Sequence, residues 1–207
     1  MIAIIDYDAG NIKSVEKALQ ALGESVIVTR NARQILDADG VILPGVGAFG
    51  DAIEKLQKYE LDKVIYQIVE KEIPLLGICL GLQLLFESSE ESPGVKGLGL
   101  LKGKIKRIPA SAGLKIPHIG WNNLSFPRDG RLFQGLSGNP FVYFVHSYYL
   151  EAEDEGIVTA TTEYGVTIHA SVESGKIFAC QFHPEKSSET GLKILKNFIE
   201  LIHENGV

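Results

Sequence analysis

The sequence predicts an α/β fold: an open, mostly parallel sheet with helices on both faces, and antiparallel strands added in the second half. In the first half, short apolar segments alternate with helical segments, as in parallel sheets that are covered on both sides. In the second half, strands follow one another with few helices between them. A chain of 207 residues, 45% hydrophobic, has enough material for one substantial core. We therefore expect a single domain over residues 1–207.

Four strands are predicted in the first half, with helices between them. The segment 11–22 has its apolar side chains on one helical stripe, formed by Ile12, Val15, Leu19 and Leu22. Gly23 is expected to end this helix. The other expected elements are strands over 2–6, 25–29, 41–43 and 74–78, a short helical piece after residue 29, and helical segments within 51–71.

The second half is predicted to be rich in strands, and the segment 130–140 is rich in turn-forming residues. A final amphipathic helix over 190–203 turns its apolar side chains inward. The expected strands cover 100–108, 141–150, 157–163, 166–173 and 176–182.

A cysteine stands at a predicted turn from strand to helix. Cys79 has Gly77 and Gly81 two residues to either side, which is the spacing of a nucleophile elbow. Glycines avoid collisions in such a tight turn. The N–H groups and dipole of a helix N-terminus favour thiolate over thiol. We therefore predict that Cys79 is a nucleophile, whereas Cys180, on the core face of a later strand, is a small buried hydrophobe.

A histidine and a carboxylate follow at the end of the last predicted strand. Pro184 biases His183 towards extended backbone, and residues two apart in an extended chain share a face, which brings Glu185 beside His183. The carboxylate would fix the imidazole tautomer and stabilise the imidazolium. A core cysteine and a structural histidine are the alternatives for the single residues. Together, the signals favour a catalytic set of Cys79, His183 and Glu185.

The glycine-rich segment 45–50 fits the pattern G-x-G-x-x-G of dinucleotide-binding proteins. It follows the third predicted strand, however, and the acidic residue about twenty positions later, Glu70, lies inside a predicted helix. The alternative, which we favour, is a loop beside the elbow. Backbone N–H groups of Gly45, Val46 and Gly47 could then stabilise a developing oxyanion.

Composition excludes several kinds of partner. The net charge of −6 argues against nucleic acid as a partner. The N-terminal segment lacks the basic region of a signal peptide, and no apolar stretch approaches the ~20 residues that span a bilayer. We expect a cytoplasmic protein with no membrane partner. The five histidines are scattered and neither cysteine is in a C-x-x-C pair, so no metal and no cofactor are predicted.

The elbow and the histidine segment resemble the class I, or triad, glutamine amidotransferases. That resemblance implies a flavodoxin-like sheet. Within the family, the chain resembles the glutaminase subunits that serve the synthesis of imidazole glycerol phosphate in histidine biosynthesis. The segments that carry this closer resemblance are 44–49 (PGVGAF), 117–122 (PHIGWN), 143–148 (YFVHSY) and 182–187 (FHPEKS).

The resemblance implies roles for individual residues. Cys79 would attack the side-chain amide of L-glutamine, His183 would carry the proton, and Glu185 would orient His183. The substrate contacts implied are Gln83, Glu91, Ser147 and Tyr148, and the oxyanion loop is Gly45 to Gly47. The residues implied at the partner interface are Asn11, Tyr143 and Lys186.

The resemblance also implies a partner, a (β/α)₈-barrel cyclase that forms a heterodimer with this chain and consumes the ammonia. The alternatives are a glutaminase subunit of another synthase, such as pyridoxal-phosphate synthase, and a non-catalytic module that only binds a partner. The segments 44–49 and 117–122 argue against the first alternative, and the intact set of three residues argues against the second.

Overall fold

The computed structural model describes residues 1–110 and 113–204. The strands in these ranges are β1 Ile2–Ile5, β2 Val26–Thr29, β3 Gly40–Leu43, β4 Leu75–Ile78, β5 Ser88–Ser89, β6 Gly103–Arg107, β7 His118–Asn123, β8 Phe141–His146, β9 Tyr148–Ala152, β10 Val158–Glu163, β11 Thr167–Ser174 and β12 Ile177–Cys180. The α-helices are α1 Ile12–Ala21, α2 Ala32–Leu36, α3 Phe49–Lys58, α4 Leu61–Glu70, α5 Leu80–Leu84 and α6 Ser188–Glu204. Short 3₁₀ helices cover Arg131–Phe133, Glu155–Ile157 and Pro184–Lys186.

The central sheet has seven strands in the order β10-β11-β12-β4-β3-β1-β2. Five neighbouring strands, from β2 to β12, are parallel. Their order is the 2-1-3-4-5 order of flavodoxin-like sheets. The strands β11 and β10 extend this sheet in the antiparallel sense. The predicted fold class is therefore confirmed.

Two apolar layers cover the sheet, because its strands alternate their side chains between the two faces. In β1, for example, Ala3 and Ile5 belong to one buried cluster, whereas Ile2 and Ile4 belong to the other. The first cluster includes buried side chains of α2, α3, α4 and α5, and the second includes those of α1 and α6. Among the described residues, no helix is long and apolar enough to cross a membrane.

Helix α1 illustrates how the sequence sets the bounds of an element. Val15 and Leu19 on its predicted stripe are buried against the sheet. Gly23 adopts a φ of 88°, and Glu24 donates its backbone N–H to the carbonyl oxygen of Leu19 at 3.1 Å. This is the bonding of a Schellman ending, which glycine permits at little cost.

The strands outside the central sheet differ from the prediction. The expected strand 141–150 divides at Ser147: β8 pairs with β7, whereas β9 pairs with β6 in a three-stranded sheet. The alternation of buried residues breaks at this point, since Tyr149 and Leu150 are both buried. The strand β7 was not predicted, because Gly120 and two asparagines weaken its strand pattern. Its pairing with β8 is a tertiary contact that no local signal encodes.

The predicted site residues follow four neighbouring strands of the parallel part of the sheet. The chain leaves the carboxyl end of β1 towards Asn11, of β3 towards the segment 45–47, of β4 at Cys79, and of β12 towards His183. Parallel strands end at the same edge of a sheet, so these segments converge there.

The turn from β4 into α5 requires glycine at two positions. A Cβ atom on Gly81 would lie 1.9 Å from the carbonyl oxygen of Leu43 in β3, and one on Gly77 would lie 2.9 Å from the carbonyl oxygen of Gly81. Both neighbours are backbone atoms and cannot rotate away. The elbow is therefore packed directly against the adjacent strand.

We predict that Gly81→Ala destabilises the protein by about 3 kcal/mol or more, because the backbone must move to relieve the overlap. Gly175→Ala serves as the matched control, since Gly175 has a φ of 58° with nothing within 4 Å of the added atom. Its cost should be only about 1–2 kcal/mol, from the left-handed backbone alone. Denaturant unfolding of both variants measures the difference. Equal losses of stability would contradict the close packing of the elbow.

Candidate active site

Cys79 occupies the turn between β4 and α5 in a strained conformation, with φ 56° and ψ −109°. Such a conformation in a non-glycine residue is typical of functional positions. Its N–H group donates to the carbonyl oxygen of Cys180 at 2.8 Å, which extends the β4–β12 pairing to the elbow. Helix α5 has only five residues, so its dipole is smaller than the sequence suggested.

His183 and Glu185 lie together, although the backbone differs from the expected one. The strand β12 ends at Cys180, and Pro184–Lys186 forms a 3₁₀ turn in place of extended chain. The pair is nevertheless in contact, with His183 Nδ1 2.8 Å from Glu185 Oε1. The turn is fixed by Ser187, whose hydroxyl donates to the carbonyl oxygen of His183 at 2.6 Å.

Asn11 contacts the acid of this pair. Its side-chain Nδ2 donates to Glu185 Oε1 at 3.0 Å, while its Oδ1 accepts from the Ser14 hydroxyl at 2.9 Å. Asn11 has a left-handed backbone, with φ 68°. The resemblance implied a place at the partner interface for this residue. The structure gives it a half-buried position where it helps to hold the carboxylate.

The imidazole of His183 has an unusual electrostatic environment. Burial by itself lowers the pKa of His183, but the neighbouring sulfur of Cys79 and the carboxylate of Glu185 together raise this pKa to about 9. Its Nε2 atom is buried and has no hydrogen-bond partner within the described residues. With Nδ1 engaged by Glu185, Nε2 is the atom available to exchange a proton with Cys79 or with a ligand.

A cavity of about 310 Å³ opens beside Cys79 and His183. The four residues that the resemblance implies as substrate contacts, Gln83, Glu91, Ser147 and Tyr148, all line it. The remaining lining residues are Val46, Gly47, Leu80, Pro117, Val145 and His146.

The side chains of Gln83 and Glu91 each use some of their polar atoms in hydrogen bonds within the protein. Gln83 Nε2 donates to the carbonyl oxygen of Tyr148 and to Gln181 Oε1, both at 3.0 Å, which leaves its amide oxygen for a ligand. Glu91 Oε2 accepts from the N–H group of Phe49 at 2.8 Å, at the start of α3. An amide oxygen and a carboxylate in one cavity suit the ammonium group of an amino acid.

The glycine-rich loop follows β3 at the cavity edge. A Cβ atom on Gly45 would lie 2.6 Å from Tyr7 Oη and 2.8 Å from Leu80 Cβ, so this residue is packed against the elbow. Val46 and Gly47 line the cavity, whereas Gly45 lies behind them. Gly47 has a φ of 98° with nothing within 4 Å of an added Cβ atom.

Sequence reasoning missed two residues near the sulfur. Leu80 lines the cavity and is the first residue of α5, and the first N–H groups of a helix have no intrahelical acceptor. Its place directly after the nucleophile could have indicated an oxyanion donor. Gln181 is fully buried and donates from Nε2 to Cys79 Sγ at 3.7 Å. No role was predicted for Gln181 from the sequence.

Cys180 is fully buried, and burial raises its pKa well above the ordinary value of a thiol. The structure therefore places it in the core, as predicted, and it is an unreactive thiol. Both cysteines are unpaired. Within residues 1–110 and 113–204, no three His, Cys, Asp or Glu side chains are grouped to hold a metal ion.

An apolar surface lies next to the cavity, on the outer face of the β7–β8 ribbon. Three of its side chains are more than half exposed: Ile119 at 60%, Trp121 at 51% and Phe141 at 57%. Tyr143 lies among them, with its ring 6.1 Å from that of Trp121 and with Lys186 Nζ 6.0 Å above it. We call Ile119, Trp121, Phe141 and Tyr143 the ribbon surface.

The family model for class-I glutamine amidotransferases matches residues 3–201. The chain therefore belongs to the class-I glutamine amidotransferase family. A relative from Moorella thermoacetica, imidazole glycerol phosphate synthase subunit HisH, is 55% identical over 205 residues, which cover 99% of this chain and 97% of the relative. A relative of the same name from Methanocaldococcus jannaschii is 48% identical and covers 98% and 100%.

The solved structures support the fold. A crystal structure of a glutamine amidotransferase superposes with a TM-score of 0.76 at 22% identity, and the match covers 98% of this chain and 100% of that chain.

We predict that protonated His183 stabilises the fold. Its folded-state pKa of about 9 lies above the ordinary value of 6.5, so the contribution is complete below about pH 6.5 and is lost as the pH rises through about 9. The stability advantage of the natural protein over His183→Asn, measured by urea unfolding, should shrink across this window. Cys79→Ala should lower the folded-state pKa of His183 and so narrow the pH range over which this stability is lost. If the natural protein exceeded His183→Asn in stability by the same amount at every pH, an ion pair of His183 with Glu185 would be contradicted.

Proposed function

We propose that this chain is the glutaminase subunit of imidazole glycerol phosphate synthase and hydrolyses L-glutamine to glutamate and ammonia in histidine biosynthesis. The observation that carries the chemistry is the position of Cys79 and His183 at the edge of one cavity, with Glu185 bonded to His183 on the buried side. The shared name of the relatives favours this synthase over the pyridoxal-phosphate enzyme. We also propose that the chain is one domain and works in the cytoplasm, where its two free cysteines would remain reduced.

In the first half of the reaction, the Cys79 thiolate attacks the side-chain amide carbon of glutamine. A C–S bond forms and the carbonyl electrons move to the oxygen. The backbone N–H groups of Leu80 and of the segment 45–47 stabilise this oxyanion. His183 then gives its proton to the nitrogen, the C–N bond breaks, and ammonia leaves a thioester on Cys79.

In the second half, His183 accepts a proton from water as the water oxygen attacks the thioester. The C–S bond breaks, glutamate forms, and Cys79 returns as a thiolate beside the imidazolium. Glu185 keeps the imidazole in one tautomer throughout, and Asn11 holds Glu185. One histidine therefore serves as acid in the first half and as base in the second.

Substrate recognition rests on the polar groups of the cavity wall. The substrate ammonium group would contact the free oxygens of Gln83 and Glu91, and the backbone at Ser147 and Tyr148 would contact the other end of the amino acid. The cavity of about 310 Å³ leaves room for a single amino acid, and no second substrate is expected beside it.

A partner is required to take up the ammonia directly, because free ammonia is mostly protonated at neutral pH and the ammonium ion is not a nucleophile. We propose that the partner is a (β/α)₈-barrel cyclase, which uses the ammonia to make imidazole glycerol phosphate and aminoimidazole carboxamide ribotide. The ribbon surface and Lys186 support a docking face next to the cavity, because exposed aromatic side chains are the usual anchors of interfaces.

We predict that Cys79→Ala abolishes glutamine-dependent product formation by the complex, while synthesis from added ammonium salts continues. The two half-reactions use separate sites, so only the ammonia source is lost. Cys180→Ala is the matched control and should retain glutamine turnover, since Cys180 is a core residue. Product assays with the two nitrogen sources measure both. Loss of the ammonia-driven reaction in an assembled Cys79→Ala complex would refute the assignment.

We predict that Trp121→Ala weakens partner binding by about 2 kcal/mol or more, or roughly thirtyfold in Kd, as for a central aromatic anchor. Tyr66→Ala provides a control, because Tyr66 is also an exposed aromatic, at 45%, but belongs to α4 on the other side of the sheet. Isothermal titration of each variant with the cyclase gives the Kd. Unchanged affinity for Trp121→Ala would exclude the ribbon surface as the docking face.

A further inference from the structure

A continuous chain of hydrogen bonds runs through the interior from β7 to the nucleophile. It begins on the inner face of the β7–β8 ribbon, passes through two buried histidines, and ends at the sulfur of Cys79. Its members in order are Asn122, His118, His146, the carbonyl group of Tyr148, Gln83, Gln181 and Cys79.

The first part of the chain joins the ribbon to the cavity wall. Asn122 Nδ2 lies 3.4 Å from His118 Nε2, and His118 Nδ1 lies 3.0 Å from His146 Nε2. His146 Nδ1 lies 2.9 Å from the carbonyl oxygen of Tyr148. The ring of His118 is stacked between Tyr164 at 3.8 Å and Phe144 at 4.7 Å, so it cannot turn.

The second part joins the cavity wall to the nucleophile. The carbonyl oxygen of Tyr148 accepts a second hydrogen bond, from Gln83 Nε2 at 3.0 Å. The same nitrogen donates to Gln181 Oε1 at 3.0 Å. Gln181 Nε2 then donates to Cys79 Sγ at 3.7 Å.

The direction of every bond follows from one carbonyl group. Because the Tyr148 oxygen can only accept, His146 Nδ1 and Gln83 Nε2 must be donors. Neutral His146 then accepts at Nε2, so His118 carries its hydrogen on Nδ1. Gln181 must likewise present its oxygen to Gln83, which leaves its NH₂ group for the sulfur of Cys79.

Both histidines of the chain remain neutral at physiological pH. Burial lowers the pKa of His118 to about 4 and, more strongly, that of His146 to about 3, despite the carbonyl acceptor of Tyr148. This contrasts with His183, whose anionic neighbours raise its pKa. The donor pattern of the chain is therefore constant over the range in which glutamine hydrolysis would be measured.

We propose that Gln181 is a positioning residue that holds the sulfur of Cys79, and that the chain behind it couples the position of the β7–β8 ribbon to the nucleophile. The proposal deepens the function proposed above and rests on it. Gln181 is fully buried and does not line the cavity, so it acts on Cys79 and not on the substrate. Trp121, next to Asn122 in β7, belongs to the ribbon surface. A partner bound there would contact β7 beside Asn122, the first member of the hydrogen-bond chain.

The first test is the alkylation of Cys79 by iodoacetamide in the full-length chain, followed by peptide mass spectrometry. Gln181→Met keeps the size of the side chain and removes its hydrogen bonds. It should slow alkylation about tenfold or more, the effect of one lost hydrogen bond to a charged group. The total amount of alkylated Cys79 at completion should not change, which separates the effect from unfolding. Thr162→Val, at an equally buried residue of β10, should keep the natural rate.

The second test acts at the far end of the chain. His118→Phe keeps the aromatic stacking but removes the donor to His146, and it should slow alkylation of Cys79 about threefold. His118→Asn places an N–H donor near the position of Nδ1 and should restore the rate. Tyr164→Phe is the control for the stacked rings. The hydroxyl group of Tyr164 donates to the carbonyl oxygen of Lys115, which is not a member of the hydrogen-bond chain.

The double variant decides whether the residues form one chain. If they do, His118→Phe combined with Gln181→Met should be no slower than Gln181→Met alone, within twofold, because the connection to the sulfur is already cut. Rates that multiply to about thirtyfold would overturn the coupling. A natural rate in Gln181→Met, or in His118→Phe, would overturn the proposal as well.

The alkylation rates do not depend on glutamine turnover. Absence of glutaminase activity in the assembled complex of the natural protein would refute the proposed function, even if the variants showed the expected alkylation rates. Conversely, the natural complex could be active while the variants are alkylated at the rate of the natural protein. That result would refute only the positioning role of Gln181. In that active complex, Gln181→Met should lower kcat for glutamine by about tenfold and change KM by less than about threefold.

Discussion

The hydrogen bond from the N–H group of Cys79 to the carbonyl oxygen of Cys180 is the contact on which the site depends. It continues the parallel pairing of β4 with β12 one residue past the end of β4, to the last residue of β12, and so it sets the elbow beside the segment 181–185. The close approach of Gly81 to β3 fixes the elbow from the other side. Backbone pairing thus positions Cys79, Gln181 and His183 relative to one another, and side-chain contacts complete the arrangement.

Burial acts on every histidine of the site in the same direction, and their charges differ because their partners differ. Burial lowers the pKa of His118, His146 and His183, since it disfavours the charged ring. Only His183 among them has a carboxylate, that of Glu185, and the sulfur of Cys79 beside it, and these raise its pKa to about 9. The same fold therefore contains one histidine that is charged at neutral pH, His183, and two neutral ones, His118 and His146, that serve as fixed donors and acceptors.

The sequence was sufficient for the elements that carry their own signals. The four strands of the first half, the ending of α1 at Gly23 and the elbow glycines all follow from local pattern and sterics, and the fold class was confirmed. The parallel pairing of β12 with β4 did not follow, because β12 lies in the half of the chain where antiparallel strands were expected. The 3₁₀ turn at Pro184 and the pairing of β7 with β8 were not predictable, because tertiary contacts decide them. The role of Gln181 was hidden for the same reason, because the two residues that its side chain bonds to, Cys79 and Gln83, are 102 and 98 positions away in the sequence.

The β7–β8 ribbon contributes both to the wall of the cavity and to an exposed apolar surface. Its inner face supplies His118 and His146, which brace the cavity wall, while its outer face presents Ile119 and Trp121 to solvent. Val145 of β8 lines the cavity and is paired in register with Ile119 of β7. Strand β8 therefore borders the cavity and also carries part of the ribbon surface. A partner docked on the ribbon surface, as proposed above, would contact the same ribbon that borders the cavity.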